Sequence, residues 1–146
     1  MAEKESVKVI EMTEEIEYKK SVSITIHDFT KRIDDEENKK KKIVSSRFKV
    51  GETSLTVGVY PQYNEENSKE NIGVYLRNEE EENVTATYTF KHASGEEFTL
   101  KNQVIRANTG FGTPEFLSHE AYKKWAKKRG DVFKLEVKIT LHVNNR

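Results

Sequence analysis

One short helix set among strands is the feature that most constrains the fold of this chain. Residues 110–117 (GFGTPEFL) are predicted to be a loop, because they are rich in glycine and proline, and they lead into a helix predicted over residues 118–129. Ser118 is a favourable N-cap, and Gly130 suits the position just after the last turn. Trp125 lies on the apolar face of this helix and lysines cover the opposite face. We expect Trp125 to close one end of a strand-rich core.

Alternation of apolar and polar residues predicts strands along most of the remaining chain. In the clearest segment the apolar positions are Phe133, Leu135, Val137, Ile139, Leu141 and Val143. Shorter segments of this kind begin near Val22, Ile43, Leu55, Ile72, Val84 and Phe98. Seven such segments without a regular strand–helix rhythm predict an all-β fold. The expected architecture is an antiparallel β-sandwich of seven to eight strands, with one short helix before the last strand.

The chain has the length of one domain, since 146 residues support a single hydrophobic core. Residues 1–17 are charged and weakly patterned, so we expect a flexible lead-in there. Residues 18–146 are then the single folded domain, and the charged stretch 31–42 is a loop within it. The basic stretch 39–42 and the lysine face of the predicted helix are interpreted as solvated surfaces, with an acidic protein as the alternative partner.

Composition excludes several classes of function. Lys and Arg total 25, as do Asp and Glu, so the zero net charge gives no general attraction to nucleic acid or to anionic membranes. The absence of cysteine excludes disulfides and thiolate metal sites. No apolar run reaches membrane-spanning length, and the first residues lack the apolar core of a signal peptide. We therefore expect a protein of the cytoplasm or the nucleus.

The residue types that carry catalysis are not arranged in a recognisable motif. The histidines are His27, His92, His119 and His142. They have no metal-ligand spacing, and no nucleophile-elbow sequence is present. We expect no enzyme activity, no cofactor and no metal. The alternative of a carbohydrate-active enzyme would need two carboxylates that face each other across a cleft.

Six segments occur in an order that resembles the MATH domain, the meprin and TRAF homology family. They are residues 24–29 (ITIHDF), 46–51 (SRFKVG), 55–61 (LTVGVYP), 72–76 (IGVYL), 112–117 (GTPEFL) and the alternating last strand. The resemblance covers residues 20–143 and implies a TRAF-like sandwich that recognises short extended peptides of partner proteins. Family members serve in ubiquitin-ligase adaptors and in signalling adaptors. Without a trimerising coiled coil, we expect a monomer; a self-associating sandwich module is the alternative.

The resemblance also implies a peptide-binding groove. The family's groove positions fall on Phe111, Tyr88, Gly112, Thr113, Gln103 and Asn71. Phe111 and Tyr88 keep aromatic character, whereas the positions of Thr113, Gln103 and Asn71 have lost it, which argues against the family's usual Ser/Thr-rich peptides. Two alternatives remain open for each aromatic residue. Alternation places Tyr88 among core residues, and Phe111 could be a loop anchor instead of a ligand contact.

Overall fold

Two antiparallel sheets form the molecule. The computed structural model describes residues 14–35, 42–62 and 70–145. In chain order the elements are β1 (Glu14–His27), α1 (Phe29–Asp34), β2 (Ile43–Val44), β3 (Phe48–Val50), β4 (Thr53–Tyr60), β5 (Asn71–Asn78), β6 (Val84–His92), β7 (Glu97–Ile105), β8 (Gly110–Ser118), α2 (His119–Arg129) and β9 (Val132–Asn145). One sheet has the order β1-β9-β6-β7, and the other has the order β2-β4-β5-β8 with β3 paired to β4. The predicted all-β sandwich, with a helix before its last strand, is confirmed.

The strand number is higher than expected for two local reasons. The segment 43–50, predicted as one strand, is divided into β2 and β3, which pair with different parts of β4. The segment 110–117, predicted as a loop because of its glycines and proline, is strand β8 and pairs with β5. Proline fits there because β8 lies at the edge of its sheet.

The long ladder between β1 and β9 joins the two ends of the described chain. It runs without interruption from Glu14 paired with Asn145 to His27 paired with Val132. Strand β1 thus begins inside the segment predicted as a lead-in, of which residues 1–13 lie outside the described residues. Along both strands the apolar side chains alternate toward the core, as with Ile26 and Phe133, which are opposite each other.

Helix α2 covers one end of the core, and its caps are those expected from the sequence. The hydroxyl of Ser118 accepts a hydrogen bond from the N–H of Ala121 at 3.1 Å. The N–H of Gly130, at φ 103°, donates to the carbonyl of Ala126 at 2.8 Å. Between these caps Tyr122 is buried, and the half-buried Trp125 packs against the core. The helix therefore closes the sandwich with its aromatic side chains.

Helix α1 is not anticipated by the sequence, because the stretch predicted as a charged loop begins within it. Its apolar residues Phe29 and Ile33 are four positions apart and both are buried. This spacing places them on one face of a helix, but two residues give too short a pattern to stand out among charges. The rest of the predicted loop, residues 36–41, lies outside the described residues.

Asp131 fastens α1 to α2. Its carboxylate accepts hydrogen bonds from the N–H of Thr30 at 3.0 Å and from the Thr30 hydroxyl at 2.8 Å. It also accepts from the hydroxyl of Tyr122 at 2.9 Å. Burial opposes ionisation of this carboxyl, but the hydrogen bonds from Thr30 and Tyr122 outweigh burial and lower the pKa of Asp131.

A histidine lies in the aromatic cluster under α2. His92 is fully buried, and its ring centroid is 4.7 Å from that of Trp125 and 4.8 Å from that of Phe133. Its Nδ1 accepts a hydrogen bond from the N–H of Ser94 at 3.0 Å. Burial disfavours the charged imidazolium and lowers the pKa of His92 to about 4.

We expect His92 to make the fold sensitive to mild acid. The ordinary pKa of histidine is 6.5, and the pKa of His92 in the folded protein is about 4. Between these two pH values the imidazole is protonated in the unfolded chain and neutral in the folded protein. Stability is therefore lost as the pH falls from 6.5 toward 4, by about 3 kcal/mol in total. Urea unfolding at several pH values would measure this loss. A His92→Phe variant should lose less stability over that range; an equal loss in both proteins would contradict the assignment.

Candidate functional site

Two free strand edges lie side by side along one flank of the sandwich. Within the described residues, β7 pairs only with β6 and β8 pairs only with β5. The two strands belong to different sheets, follow each other in the chain and contact each other. A free edge presents unpaired backbone N–H and C=O groups to any extended chain that approaches it. This flank can therefore accept an added strand.

Side chains of β8 that face the gap between the sheets are identified by their partners on β5. Phe111 is opposite Leu76, and Thr113 is opposite Val74. Opposite residues of an antiparallel pair lie on the same face of the sheet. Because Leu76 and Val74 are buried core residues, Phe111 and Thr113 also face the space between the sheets, where Phe111 remains 44% exposed.

Strand β7 contributes the opposite wall. Phe98 is paired with Phe90, Leu100 with Tyr88, and Gln103 with Ala86, and these three partners on β6 are buried. The three β7 side chains therefore face the same gap and are each partly buried. The inner-facing side chains of these two edge strands, Phe98, Leu100, Gln103, Phe111 and Thr113, are together called the β7–β8 slot here. Three of them are apolar, and each strand contributes one polar side chain.

Tyr88 lies beneath the slot rather than in it. The side chain is 1% exposed, and its ring packs edge-to-face on Phe90 with centroids 5.6 Å apart. Its hydroxyl donates to the carbonyl of Phe111 at 2.8 Å. Burial raises the pKa of the Tyr88 phenol. The ring of Tyr88 therefore lies in the core. Its hydroxyl holds the backbone of Phe111 close to the opposite sheet through the hydrogen bond.

A bulge in β7 determines where Gln103 points. The pairing steps from Leu100–Tyr88 to Gln103–Ala86, so residues 101 and 102 have no partners of their own on β6. Asn102 has φ 49°, and its N–H donates to the hydroxyl of Thr87 at 3.0 Å. A bulge of this kind bends a strand and re-aims the side chains that follow. Here it returns Gln103 to the inner face of the edge strand.

Gly112 is where β8 comes closest to β5. It is opposite Tyr75, and a Cβ atom added to Gly112 would lie 1.9 Å from the carbonyl oxygen of Val74. Only glycine fits this approach. Asn71, by contrast, is opposite Ser118 at the other end of β8. It lies five residues from Leu76 along β5, which is about 17 Å, so the structure does not bring Asn71 together with Phe111.

A second concave surface, absent from the sequence-based prediction, lies on the outer face of β4 and β5. It is a cavity of about 180 Å³ whose walls include Lys42, Tyr60, Tyr75 and Arg77. The signal that could have found it is the glycine at every second position of β8, Gly110 and Gly112, because two bare outer positions leave the neighbouring strand uncovered.

Neither a candidate metal-binding cluster nor a helix suited to span a membrane occurs in the described part of the chain. Residues 14–35, 42–62 and 70–145 contain no group of three or more His, Asp or Glu side chains placed to hold a metal ion. No helix in that part of the chain is both long and apolar enough to cross a membrane.

Comparisons with known proteins agree with this architecture. The family model of the MATH domain matches residues 21–139. Among solved structures, TRAF5 of Notothenia coriiceps is similar in fold, with a TM-score of 0.62 and 13% sequence identity over 82% of this chain and 72% of that chain. A search of curated proteins finds no match. MATH and TRAF-like domains are commonly protein–protein interaction modules rather than enzymes. The family model matches well over half of the length of this chain, so the chain belongs to the MATH domain family.

Proposed function

We propose that this MATH domain binds a short extended segment of a partner protein along the β7–β8 slot. The observation that carries the proposal is the pair of free strand edges on either side of an apolar gap. An added strand would gain backbone hydrogen bonds from an edge and place alternate side chains in the slot. Such a module would act as an adaptor in the cytoplasm or nucleus, for example as the substrate-recognition part of a ubiquitin ligase or signalling complex.

Phe111 is the residue that should contribute most to this binding. It is the most exposed aromatic side chain of the slot, at 44%, and its backbone is held by Tyr88. Covering a half-exposed phenylalanine with an apolar ligand side chain contributes on the order of 1–2 kcal/mol. Gln103 and Thr113 add hydrogen-bonding groups at the walls, so the preferred ligand combines an apolar residue with neighbouring polar ones.

We expect Phe111→Ala to weaken peptide binding about tenfold or more, which corresponds to about 1.4 kcal/mol. A displayed library of random peptides would first be selected on the wild-type domain. The selected peptides would then be synthesised, and their dissociation constants for the wild-type and variant domains would be measured by fluorescence polarisation. The control is Tyr18→Ala on β1, since Tyr18 is exposed to a similar degree, 41%, on a strand at the opposite edge of its sheet.

The control should bind like the wild type, and circular dichroism should show that both variants fold. Equal affinities for wild type and Phe111→Ala would place binding elsewhere. If no peptide were selected from the library, the proposal of a peptide ligand would be contradicted. The same free edges also suit a second copy of this chain. Sedimentation over a concentration series separates the two functions, because a self-associating module dimerises without any peptide.

A further inference from the structure

Thr113 and Pro114 form the one Ser/Thr–Pro dipeptide of this chain. The sequence has two prolines, and the other, Pro61, follows Tyr60. A class of protein kinases phosphorylates a serine or threonine only when proline comes next. The substrate groove of these kinases offers no acceptor for the N–H of that next residue, and proline has no N–H to leave unpaired. The dipeptide is therefore the substrate signal of proline-directed kinases.

The backbone at Thr113 already has the conformation that a kinase needs. A kinase holds its substrate as an extended chain across the active site. Proline disfavours the helical conformation of the residue before it, and Thr113 is accordingly extended within strand β8. One edge of β8 pairs with β5, and in the part of the chain that the structure describes no strand pairs with the other edge.

A wide bulge follows Thr113 in β8. The pairing steps from Thr113 opposite Val74 to Leu117 opposite Ile72. Residues 114–116 therefore lie against a single residue of β5. An irregularity of this kind interrupts the ladder and bends the strand. The chain that follows the acceptor is thus held to the sheet by fewer backbone hydrogen bonds than a regular strand would be.

The hydroxyl of Thr113 is available for modification. The side chain is partly exposed, and its oxygen accepts a hydrogen bond from the N–H of Glu115 at 3.2 Å. No hydrogen bond among the described residues uses the proton of this hydroxyl. Glu115 is exposed, so the chain can be approached from that side. A phosphate oxygen can accept the same N–H, and the modification therefore needs no rearrangement of the backbone.

A phosphate on Thr113 would change the chemistry of the β7–β8 slot. Thr113 and Phe111 are two residues apart on the same face of β8, a spacing of about 7 Å. The five side chains of the slot include no lysine, arginine or histidine, so the slot supplies no cation to pair with a group that carries about −1.5 to −2 charges at pH 7. An apolar ligand side chain beside Phe111 would have to displace the water around this charge, which is unfavourable.

The modification is a phosphoryl transfer from ATP bound to the kinase. A carboxylate of the kinase takes the hydroxyl proton, Oγ1 of Thr113 forms a bond to the γ-phosphorus, and the bond from that phosphorus to the oxygen of ADP breaks. The products are the phosphorylated threonine and ADP. A phosphatase reverses the modification by hydrolysis of the phosphate ester with water.

We propose that Thr113 is the acceptor site of a proline-directed kinase, and that its phosphorylation closes the β7–β8 slot to an apolar peptide side chain. The acceptor site is supported by the dipeptide, the free strand edge, the bulge and the partly exposed hydroxyl. The closing of the slot rests on the proposed peptide-binding function. Together they give the domain a reversible switch at its binding surface.

The first experiment tests the acceptor site without any peptide ligand. The whole folded chain is incubated with ATP and a purified proline-directed kinase, and mass spectrometry of the intact and the fragmented protein locates the phosphate. We expect full phosphorylation of Thr113 in the wild type and none of Thr113 in Pro114→Ala. The control is Thr109→Val, which removes an exposed threonine that glycine follows, and it should be phosphorylated like the wild type.

Two results would overturn the acceptor site. One is phosphorylation of Thr113 in Pro114→Ala to the same extent as in the wild type, since the proline would then not be the signal. The other is a wild-type domain that accepts no phosphate at Thr113. A synthetic peptide of residues 107–119 treated with the same kinase gives the reason: a phosphorylated peptide beside an unmodified domain would mean that the folded strand protects the hydroxyl.

The second experiment measures the closing of the slot with peptides selected on the unmodified domain. We expect the phosphorylated wild type to bind these peptides at least about tenfold more weakly, and a phosphatase to restore their affinity. Kinase treatment should leave the affinity of Thr113→Val, whatever its value, unchanged. Equal affinities of phosphorylated and unmodified wild type would overturn the closing of the slot, whereas failure of the peptide-binding function itself would show as insensitivity of every peptide to Phe111→Ala.

Discussion

Gly112→Ala is expected to destabilise the domain by about 4 kcal/mol. The added Cβ would lie 1.9 Å from the carbonyl oxygen of Val74 and 2.7 Å from the Cα of Tyr75. Both are backbone atoms of β5, so no side-chain rotation can relieve the clash and β8 must move away from β5. The movement would break the strand pairing that places Phe111 in the slot, and peptide binding should be lost as well.

Chemical unfolding of wild type and variant measures this effect directly. The matched control is Gly58→Ala on the neighbouring strand β4. An added Cβ there meets only the flexible Lys42 side chain, at 3.9 Å, so we expect a change within about 0.5 kcal/mol. If Gly112→Ala were as stable as Gly58→Ala, the close approach of β8 to β5 would not exist in solution.

Asn78→Ala should have an effect of similar size, about 4 kcal/mol, because it removes a buried polar cluster. Asn78 is fully buried. Its Nδ2 donates to the carbonyl oxygens of Glu82 at 2.7 Å, Ile105 at 3.1 Å and Arg106 at 3.3 Å. Its Oδ1 accepts from the N–H of Glu80 at 2.8 Å. Alanine would leave these backbone groups without their partner in a place that water reaches poorly.

The same unfolding measurement, with Asn83→Ala as the control, tests this expectation. Asn83 is exposed and makes one hydrogen bond, from the N–H of Ala107 to its Oδ1 at 3.1 Å. Its loss should cost about 1 kcal/mol or less. If Asn78→Ala and Asn83→Ala lowered the free energy of unfolding equally, the hydrogen bonds of Asn78 would not hold together the loop after β5 and the loop after β7.

The sequence predicts those strands and helices that have one solvent-exposed face and one buried face. Strand β9 is recognisable because its apolar residues alternate up to Val143, and α2 is recognisable because Ser118 and Gly130 mark its ends. Strand β8 is hidden, because Gly112 and Pro114 are typical of loops. The glycine is needed for the close approach to β5. The residues that require it, Val74 and Tyr75, lie 38 and 37 positions earlier in the chain, beyond any local pattern.

The candidate site is predictable in part for the same reason. The family pattern finds Phe111, Gly112, Thr113 and Gln103, which the structure brings to one flank. It also selects Asn71, which lies at the far end of β5. Periodicity alone already places Tyr88 in the core, where the structure has it, but its bond to Phe111 depends on the packing of two sheets. The cavity at Lys42 and Arg77 is formed by residues from separate strands. Predicting it from the sequence would require the pairing register of each of these strands.

The pairing of β1 with β9 has a consequence for the order in which the domain is made. Every rung of this ladder joins residues more than a hundred positions apart, as in His27 with Val132. During synthesis β1 leaves the ribosome first and must wait for the final strand, while the β6–β7 hairpin closes locally. Contacts that span so much chain make folding slow. Lys19 and Lys20 give the waiting strand charges that discourage pairing with a wrong neighbour.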